Sequence, residues 1–342
     1  MNRQYIKNLS YIFSKPLPLK VLRSFSGENF IFPFYHLVSD TAPLHIKHLY
    51  PVISRQRFLS DLDFLLKYFN PATIDDVLNY VGKGKKSEKP LFFLSFDDGM
   101  RECYDIIYPI LKQKGVQAAF FINPAFVDNK ELFFKHKISL IIEKLKSING
   151  RHVISGISGI LNAPNIHPGR LTGSIRQLGY ANQAEINKIG EICACDFNGY
   201  LKKQQPFMTL EQIKELNSHG FHIGSHSFDH PEFRKVDEGQ MRLQVSKSMA
   251  YLAKNINPEA VTFAFPFTDF EVPASIFNYM HNEAGIDITF GTAGIKKDPE
   301  IKHIQRIPME EAGMKSAERV IRSEYAYFWM KLLFRKNTIT RR

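Results

Sequence analysis

Two adjacent carboxylates, Asp97 and Asp98, follow directly on the mostly apolar run Leu91–Phe96, and far downstream the segment HSFDH carries two imidazoles, His226 and His230. An apolar run without alternation is the pattern of a strand covered on both faces, so the carboxylates stand where a buried strand ends. Two anions held there repel each other. A divalent cation relieves that repulsion, because one carboxylate ligates it while the other stays free to handle protons. Imidazoles at this spacing share one side of a helical turn, within reach of a single ion. One hard carboxylate with two imidazoles leaves coordination positions open, as in a catalytic metal site. Asp-Gly is also an everyday turn, and either histidine alone suits a local hydrogen bond, so neither motif is specific by itself. Together they imply metal-dependent hydrolysis.

Several elements must position these groups. Phe30–Tyr35 reads as a first strand ending at His36, and Phe58, Leu62, Leu65 and Phe69 mark one face of a helix. Thr73 and Asp76 have capping-box spacing, as do Thr209 and Gln212. Tyr104–Lys114 reads as a helix stopped by Gly115, and Ala118–Ile122 as the next strand, completing a βαβ unit after Leu91–Phe96. The alternation resumes with Thr209–Ser218 (helix), Phe221–Gly224 (strand) and Met241–Lys254 (helix), followed by strand candidates at Val261–Phe267, Ile288–Gly291 and Ile304–Ile307. Such alternation predicts an α/β protein built on a parallel sheet, closed as a barrel or doubly wound. Residues 125 to about 205 break the rhythm. Helical stretches at Glu131–Lys146 and Ala184–Leu201 flank a Gly/Pro/Asn-rich middle from Gly150 to Gly179, which reads as an insertion on the rim.

SFDDG followed by HSFDH resembles the first two motifs of the NodB-like polysaccharide deacetylases, carbohydrate esterase family four, over roughly Phe30 to Met309. The resemblance implies a distorted (β/α) barrel of about seven strands with a mostly helical insertion, and removal of acetyl groups from N-acetylated sugars. It also implies Asp97 as general base, Asp98, His226 and His230 as metal ligands, and Ser227 as a brace for the histidine loop. Family members with a Tyr–His dipeptide at the first strand implicate His36 as general acid; a histidine hydrogen-bonded beneath the barrel mouth is the alternative. The third family motif carries an arginine that orients the base, but here the segment reads FAFPFTD (Phe263–Asp269) without one. Pro266 and Phe267 are expected to keep the wall shape and Asp269 to contact substrate. Arg306, on another strand, is the candidate replacement, against a fold-stabilising ion pair. His222 reads as a satisfied barrel histidine, and His45, His48 and His136, without partner spacing, as surface residues.

At 342 residues and 44% hydrophobic the chain suffices for one large barrel. Its three cysteines, Cys103, Cys193 and Cys195, form no disulfide framework, and the latter two read as buried thiols on a helix. The +11 charge is concentrated at the ends: residues 1–23 and 330–342 each hold five Lys or Arg and no acid. The organisation expected is a basic amphipathic lead (1–29), the deacetylase barrel (30–310, insertion about 125–205) and a basic helix and tail (311–342). Both ends carry helix-spaced bulky residues, Ile6, Leu9 and Phe13, then Ile321, Tyr325, Phe328 and Leu332. These stripes suit either packing on the barrel or resting on anionic lipid headgroups. The middle has no basic stripe for nucleic acid. No segment is apolar enough to span a bilayer, and Lys7 interrupts any secretory core, so a cytoplasmic location touching the inner membrane face is expected.

The cofactor expected is a divalent metal, zinc first, with cobalt, nickel or manganese also suited to Asp/His/His. The substrate expected is an N-acetylhexosamine in a cell-surface glycan or its lipid-linked precursor. A catalytically silent glycan-binding barrel, suggested by the missing arginine, and a hydrolase of a non-sugar amide are the competing readings.

Overall fold

The structure, a computed structural model, describes residues 3–341 except 149, 164–166, 312, 314 and 335. Its strands are β1 (Phe30–Ile31), β2 (Pro33–Tyr35), β3 (Asn70–Pro71), β4 (Leu91–Phe92), β5 (Leu94–Phe96), β6 (Ala118–Ile122), β7 (His222–Ser225), β8 (Thr262–Ala264), β9 (Ile288–Gly291), β10 (His303–Gln305) and β11 (Ile307–Pro308). Eight of them form one sheet in the order β10-β9-β8-β7-β6-β5-β2-β11, and every strand pairing in it is parallel. The edge strands β10 and β11 are separated in sequence only by Arg306, so the sheet curls into a nearly closed barrel. Eight strands replace the expected seven or so because His303–Pro308 splits at Arg306 into pieces on opposite edges. A small parallel sheet, β1-β4-β3, adjoins it.

Burial on both faces explains the unbroken apolar runs. Phe32, Phe93, Ala119, Phe121, Phe290 and Ile304 belong to a cluster inside the barrel. Their sequence neighbours Phe92, Leu94, Phe96, Phe120 and Ile122 join the larger core shared with Phe58, Leu62 and Leu65 of the helix Arg55–Tyr68. Each fully buried phenylalanine contributes about 1.5–3 kcal/mol relative to exposure. Inside, space is tight enough that Gly224 is required: a Cβ there would lie 2.5 Å from the Phe121 ring and 2.4 Å from Thr262 Oγ1.

Helix starts follow the sequence. Ser54 Oγ accepts the Arg57 amide, and Thr73/Asp76 and Thr209/Gln212 form reciprocal caps. Tyr104–Lys114 begins as a π-helical turn, Cys103–Ile107, before the α-helix Tyr108–Lys114 and its left-handed stop at Gly115.

The insertion differs from expectation. Its Gly/Pro/Asn-rich middle contains two helices, Arg151–Ile160 and Pro168–Gln177, because Val153, Ile157, Leu171 and Ile175 bury an apolar stripe that outweighs the glycines' low helix propensity. The stretch Ala184–Leu201 divides into Gln183–Ile192 and Phe197–Gln204 around Ala194, whose φ is +51°. Cys193 is buried and Cys195 half-buried in that break, both free, rather than inside a helix. The insertion returns to the barrel where the Met208 amide donates to the Gly99 carbonyl at 3.0 Å, beside the paired carboxylates.

At the C-terminal end, the helix Ala317–Leu333 packs Ile321, Tyr325 and Phe328 into the core, while Leu332 is exposed. At the other end Phe13 is exposed on the helix Arg3–Ser14. The Ile6 side chain and Arg335 and Arg342 lie outside the described residues.

Candidate active site

Asp97, Asp98, His226, His36 and Arg306 each follow the C-terminal end of a strand, and His230 stands in the loop after β7. Along β5 the alternation that turns Phe93 and Ser95 inward continues to Asp97, so its carboxylate enters the barrel mouth. Asp98 follows at φ +73°, a left-handed conformation Asp tolerates, which turns its carboxylate across the mouth. His226 lies just beyond β7. His226 and His230 are joined by a loop rather than by the expected helical turn: Ser227 and His230 have φ of +67° and +65°. Ser227 Oγ accepts the His230 amide at 3.1 Å, and the Asn123 side chain donates to the carbonyls of His226 and Ser227. The rings come within 4.7 Å, centroid to centroid.

Asp98 Oδ1 faces His226 Nε2 at 3.5 Å and His230 Nε2 at 3.0 Å, and this buried oxygen accepts no hydrogen bond. His226 Nδ1 lies 2.8 Å from the Ala264 carbonyl, which can only accept, so Nδ1 carries the proton and Nε2 presents its lone pair. Burial pushes His226 down to about 4, keeping it neutral. A lone pair aimed at a carboxylate oxygen is repulsive unless a cation lies between them, so the donor set fits a divalent ion.

Asp97 is gripped by Arg306: Nη1 donates to Oδ1 at 2.7 Å and Nη2 to Oδ2 at 2.8 Å. Arg306 is fully buried inside the barrel, donating also to Ser95 Oγ and the Gly291 carbonyl, with its guanidinium over the Phe34 ring at 4.3 Å. Burial alone would raise the Asp97 carboxyl; Arg306, with help from His226, outweighs it and holds the group below the usual range. The missing third-motif arginine thus has a counterpart from the β10–β11 junction.

His36 stands at the mouth on the same strand phase as Phe34, its Nδ1 2.6 Å from Glu310 Oε2. Glu310 Oε1 accepts the amides of His36 and Leu37 at 3.0 and 2.9 Å. Burial by itself would lower the imidazole, but the Glu310 carboxylate, with Asp98 and Asp97 adding to it, outweighs burial and raises it to about 9. The arrangement therefore sets an ionised carboxylate and an imidazolium close to a cation-ready triad.

Glu310 and Asn123 were not assigned from sequence. Each follows a short buried strand, the one signal that could have pointed to them. Tyr50, also unassigned, sets its ring 5.2 Å from His36 and buries a hydroxyl without a partner, with no sequence signal at all. Phe133, from the insertion, and Phe267 flank His230 at 4.4 and 4.8 Å.

Several expectations are corrected. His45 and His136 are buried against each other, 4.8 Å apart, because the insertion covers them; His48 is half-buried and bonds Glu143 at 2.7 Å. Asp269 contacts no open space: it is buried and bound by His303, Gln305 and Arg341. His222 bonds Thr262 Oγ1, as a satisfied barrel histidine should. Asp269, Asp298 and His303 form a second group with ion-ligand spacing. Arg341 Nη2 already lies 2.6 Å from both carboxylates, supplying the positive charge from within the chain.

The sequence profile of the family described as polysaccharide deacetylase matches residues 84–159 and 175–286, more than half of the chain. No curated protein sequence matches. Among solved structures, the Streptococcus pyogenes deacetylase PplD in complex with acetate is similar at TM-score 0.55 and 13% identity, covering 86% of this chain and 97% of that one. IcaB from Ammonifex degensii is similar at 0.54 and 16%, covering 86% and 98%. BC0361, a polysaccharide deacetylase from Bacillus cereus, is similar at 0.51 and 12%, covering 86% and 68%. At these identities the structural likeness speaks for the fold, and the profile speaks for the family.

Proposed function

The chain belongs to the polysaccharide deacetylase family and is accordingly a hydrolase of carbon–nitrogen bonds other than peptide bonds; from that premise we propose that it removes acetyl groups from N-acetylhexosamine in a cell-surface polysaccharide or its lipid-linked precursor, with a divalent metal, zinc first, as cofactor. The observation that carries the metal-dependent reading is the buried, hydrogen-bond-free Asp98 Oδ1 facing two imidazole nitrogens. An ion held by Asp98, His226 and His230 would supply Lewis acidity toward water and the acetyl carbonyl.

The chain's own residues do the rest. Asp97, kept ionised and oriented by Arg306, receives the proton of the attacking water. The charge on Arg306 is not spent in the step; it fixes the carboxylate. His36, charged by Glu310, donates a proton to the departing amine, which leaves poorly as an anion. Phe133 and Phe267 beside His230 limit water around the mouth.

The absent third-motif arginine favoured a silent glycan-binding barrel, and Arg306 standing on Asp97 removes that motive. A cytoplasmic location is proposed because all three cysteines are free, two of them buried, which suits a reducing compartment. Asp97→Asn is the test. Acetate release from an acetylated chito-oligosaccharide should fall by at least about 100-fold, as loss of a general base does, while metal content stays unchanged. A variant as active as wild type, or a wild type releasing no acetate at any metal loading, contradicts the proposal.

A further inference from the structure

The terminal helices present apolar side chains to solvent at the end of the barrel away from the site. Leu333 and Phe334, closing the helix Ala317–Leu333, are 82% and 74% exposed. Phe25, on the neighbouring helix Leu19–Ser26, is 70% exposed, and its ring meets Trp329 edge-on at 4.9 Å. Trp329 is half-buried, its Nε1 donating to the Leu22 carbonyl at 3.2 Å, and stands one helical turn from Leu333, so Phe25, Trp329 and Leu333 form one ridge across two helices, with Phe334 next in the chain. The Tyr325 hydroxyl donates to the Glu28 carbonyl just before β1 begins, which fixes the ridge at the N-terminal ends of the strands. Isolated exposed apolar residues are ordinary; a contiguous aromatic and aliphatic ridge is not.

Beside it lies a cavity of about 370 Å³ whose wall includes Lys85, Lys86, Lys296 and Lys297. Its acids are Glu28 and Asp298. Asp298 is already matched by Arg341, and burial raises Glu28 despite Lys297 and Lys85. Of these lysines Lys86 and Lys297 are exposed, whereas the Lys85 ammonium is taken up by the carbonyls of Glu300 and His303. Cavity and ridge are one surface: Gly27 and Glu28 lead from the Phe25 helix into the wall, and the tail after Phe334 returns to pair with Lys297, whose amide donates to the Asn337 carbonyl at 2.9 Å. Further charge comes from Lys20, exposed on the helix Leu19–Ser26, and from Lys336, exposed two residues beyond Phe334.

We infer that this end of the barrel docks on an anionic phospholipid bilayer, the exposed Phe25, Leu333 and Phe334 entering the interfacial layer and Lys86 and Lys297 meeting headgroup phosphates. Rings and aliphatic tips projecting from helix ends, flanked by cations, match the lipid interface. A nucleic-acid strand would instead require rings along a groove. The inference stands apart from the deacetylase reading, since acetate release from a soluble oligosaccharide needs no bilayer.

Flotation of the full chain with phosphatidylcholine vesicles, with and without about one quarter phosphatidylglycerol, tests it. The wild type should partition onto the anionic vesicles only, and less at high salt. Each lysine neutralised should weaken partitioning about fivefold, so Lys86→Gln with Lys297→Gln should weaken it roughly 25-fold. Phe25→Ser with Leu333→Ser and Phe334→Ser should weaken it at least about tenfold, with acetate release and thermal melting unchanged. Absence of wild-type binding, equal binding to both vesicle types, or either variant set partitioning as wild type would overturn it. So would retention by polyphosphate or an oligonucleotide without vesicle binding.

Discussion

Replacing Glu310 by glutamine removes one charge and little else. The amide oxygen still accepts the His36 and Leu37 amides, so the loop keeps its shape, but the carboxylate 2.6 Å from His36 Nδ1 is gone. Glu310 is the largest influence raising His36 from 6.5 to about 9, a preference for the imidazolium worth roughly 3 kcal/mol. Without it, burial should return the imidazole toward its ordinary value of 6.5. If His36 acts as the acid, activity follows its protonated fraction: at pH 8 that fraction is about 0.9 in the wild type and about 0.03 in the variant, whereas at pH 6 the two differ by less than about twofold. The predicted result is a roughly thirtyfold loss of kcat at pH 8 and almost none at pH 6, read from initial rates of acetate release at saturating metal. An equal loss at both pH values, or an alkaline limb that stays in place, refutes the assignment of His36.

Two other perturbations follow from buried ion pairs. Arg306→Lys keeps the charge but loses the two-pronged grip on Asp97; kcat/KM should drop roughly thirtyfold, about 2 kcal/mol, with metal content preserved, and an unaltered rate means the grip is structural only. Arg341→Ala strands Asp269 and Asp298, both buried, beside each other. Urea unfolding should show a loss of about 3–5 kcal/mol, and a loss below about 1 kcal/mol would mean the tail does not staple the barrel.

The Asp98, His226 and His230 cluster was legible because its geometry is nearly local: a buried strand aims Asp97 and Asp98, and a short loop aims His226 and His230. What was missed depends on barrel closure. Glu310 meets His36 across 274 residues, and Arg306 meets Asp97 across 209, so no spacing in the chain announces either pair. Arg306 was reachable as a candidate only through the family pattern it departs from. His45 and His136 were read as exposed because what buries them, the insertion packed against the loop after β2, is tertiary. Gly156, Gly159 and Gly173 argued against the insertion's middle helices, and the buried stripe through Ile157 and Ile175 prevailed. Asp269 in FAFPFTD read as a substrate contact; the C-terminal tail that closes over it enters through Arg341, 72 residues on.

The central claim concerns one cation position, and anomalous scattering from crystals grown with zinc locates it. A single strong peak about 2.0–2.2 Å from Asp98 Oδ1, His226 Nε2 and His230 Nε2 is predicted, with Asp97 still paired to Arg306. A peak at Asp269, Asp298 and His303 in place of Arg341, or no peak at Asp98 in the folded protein, contradicts it.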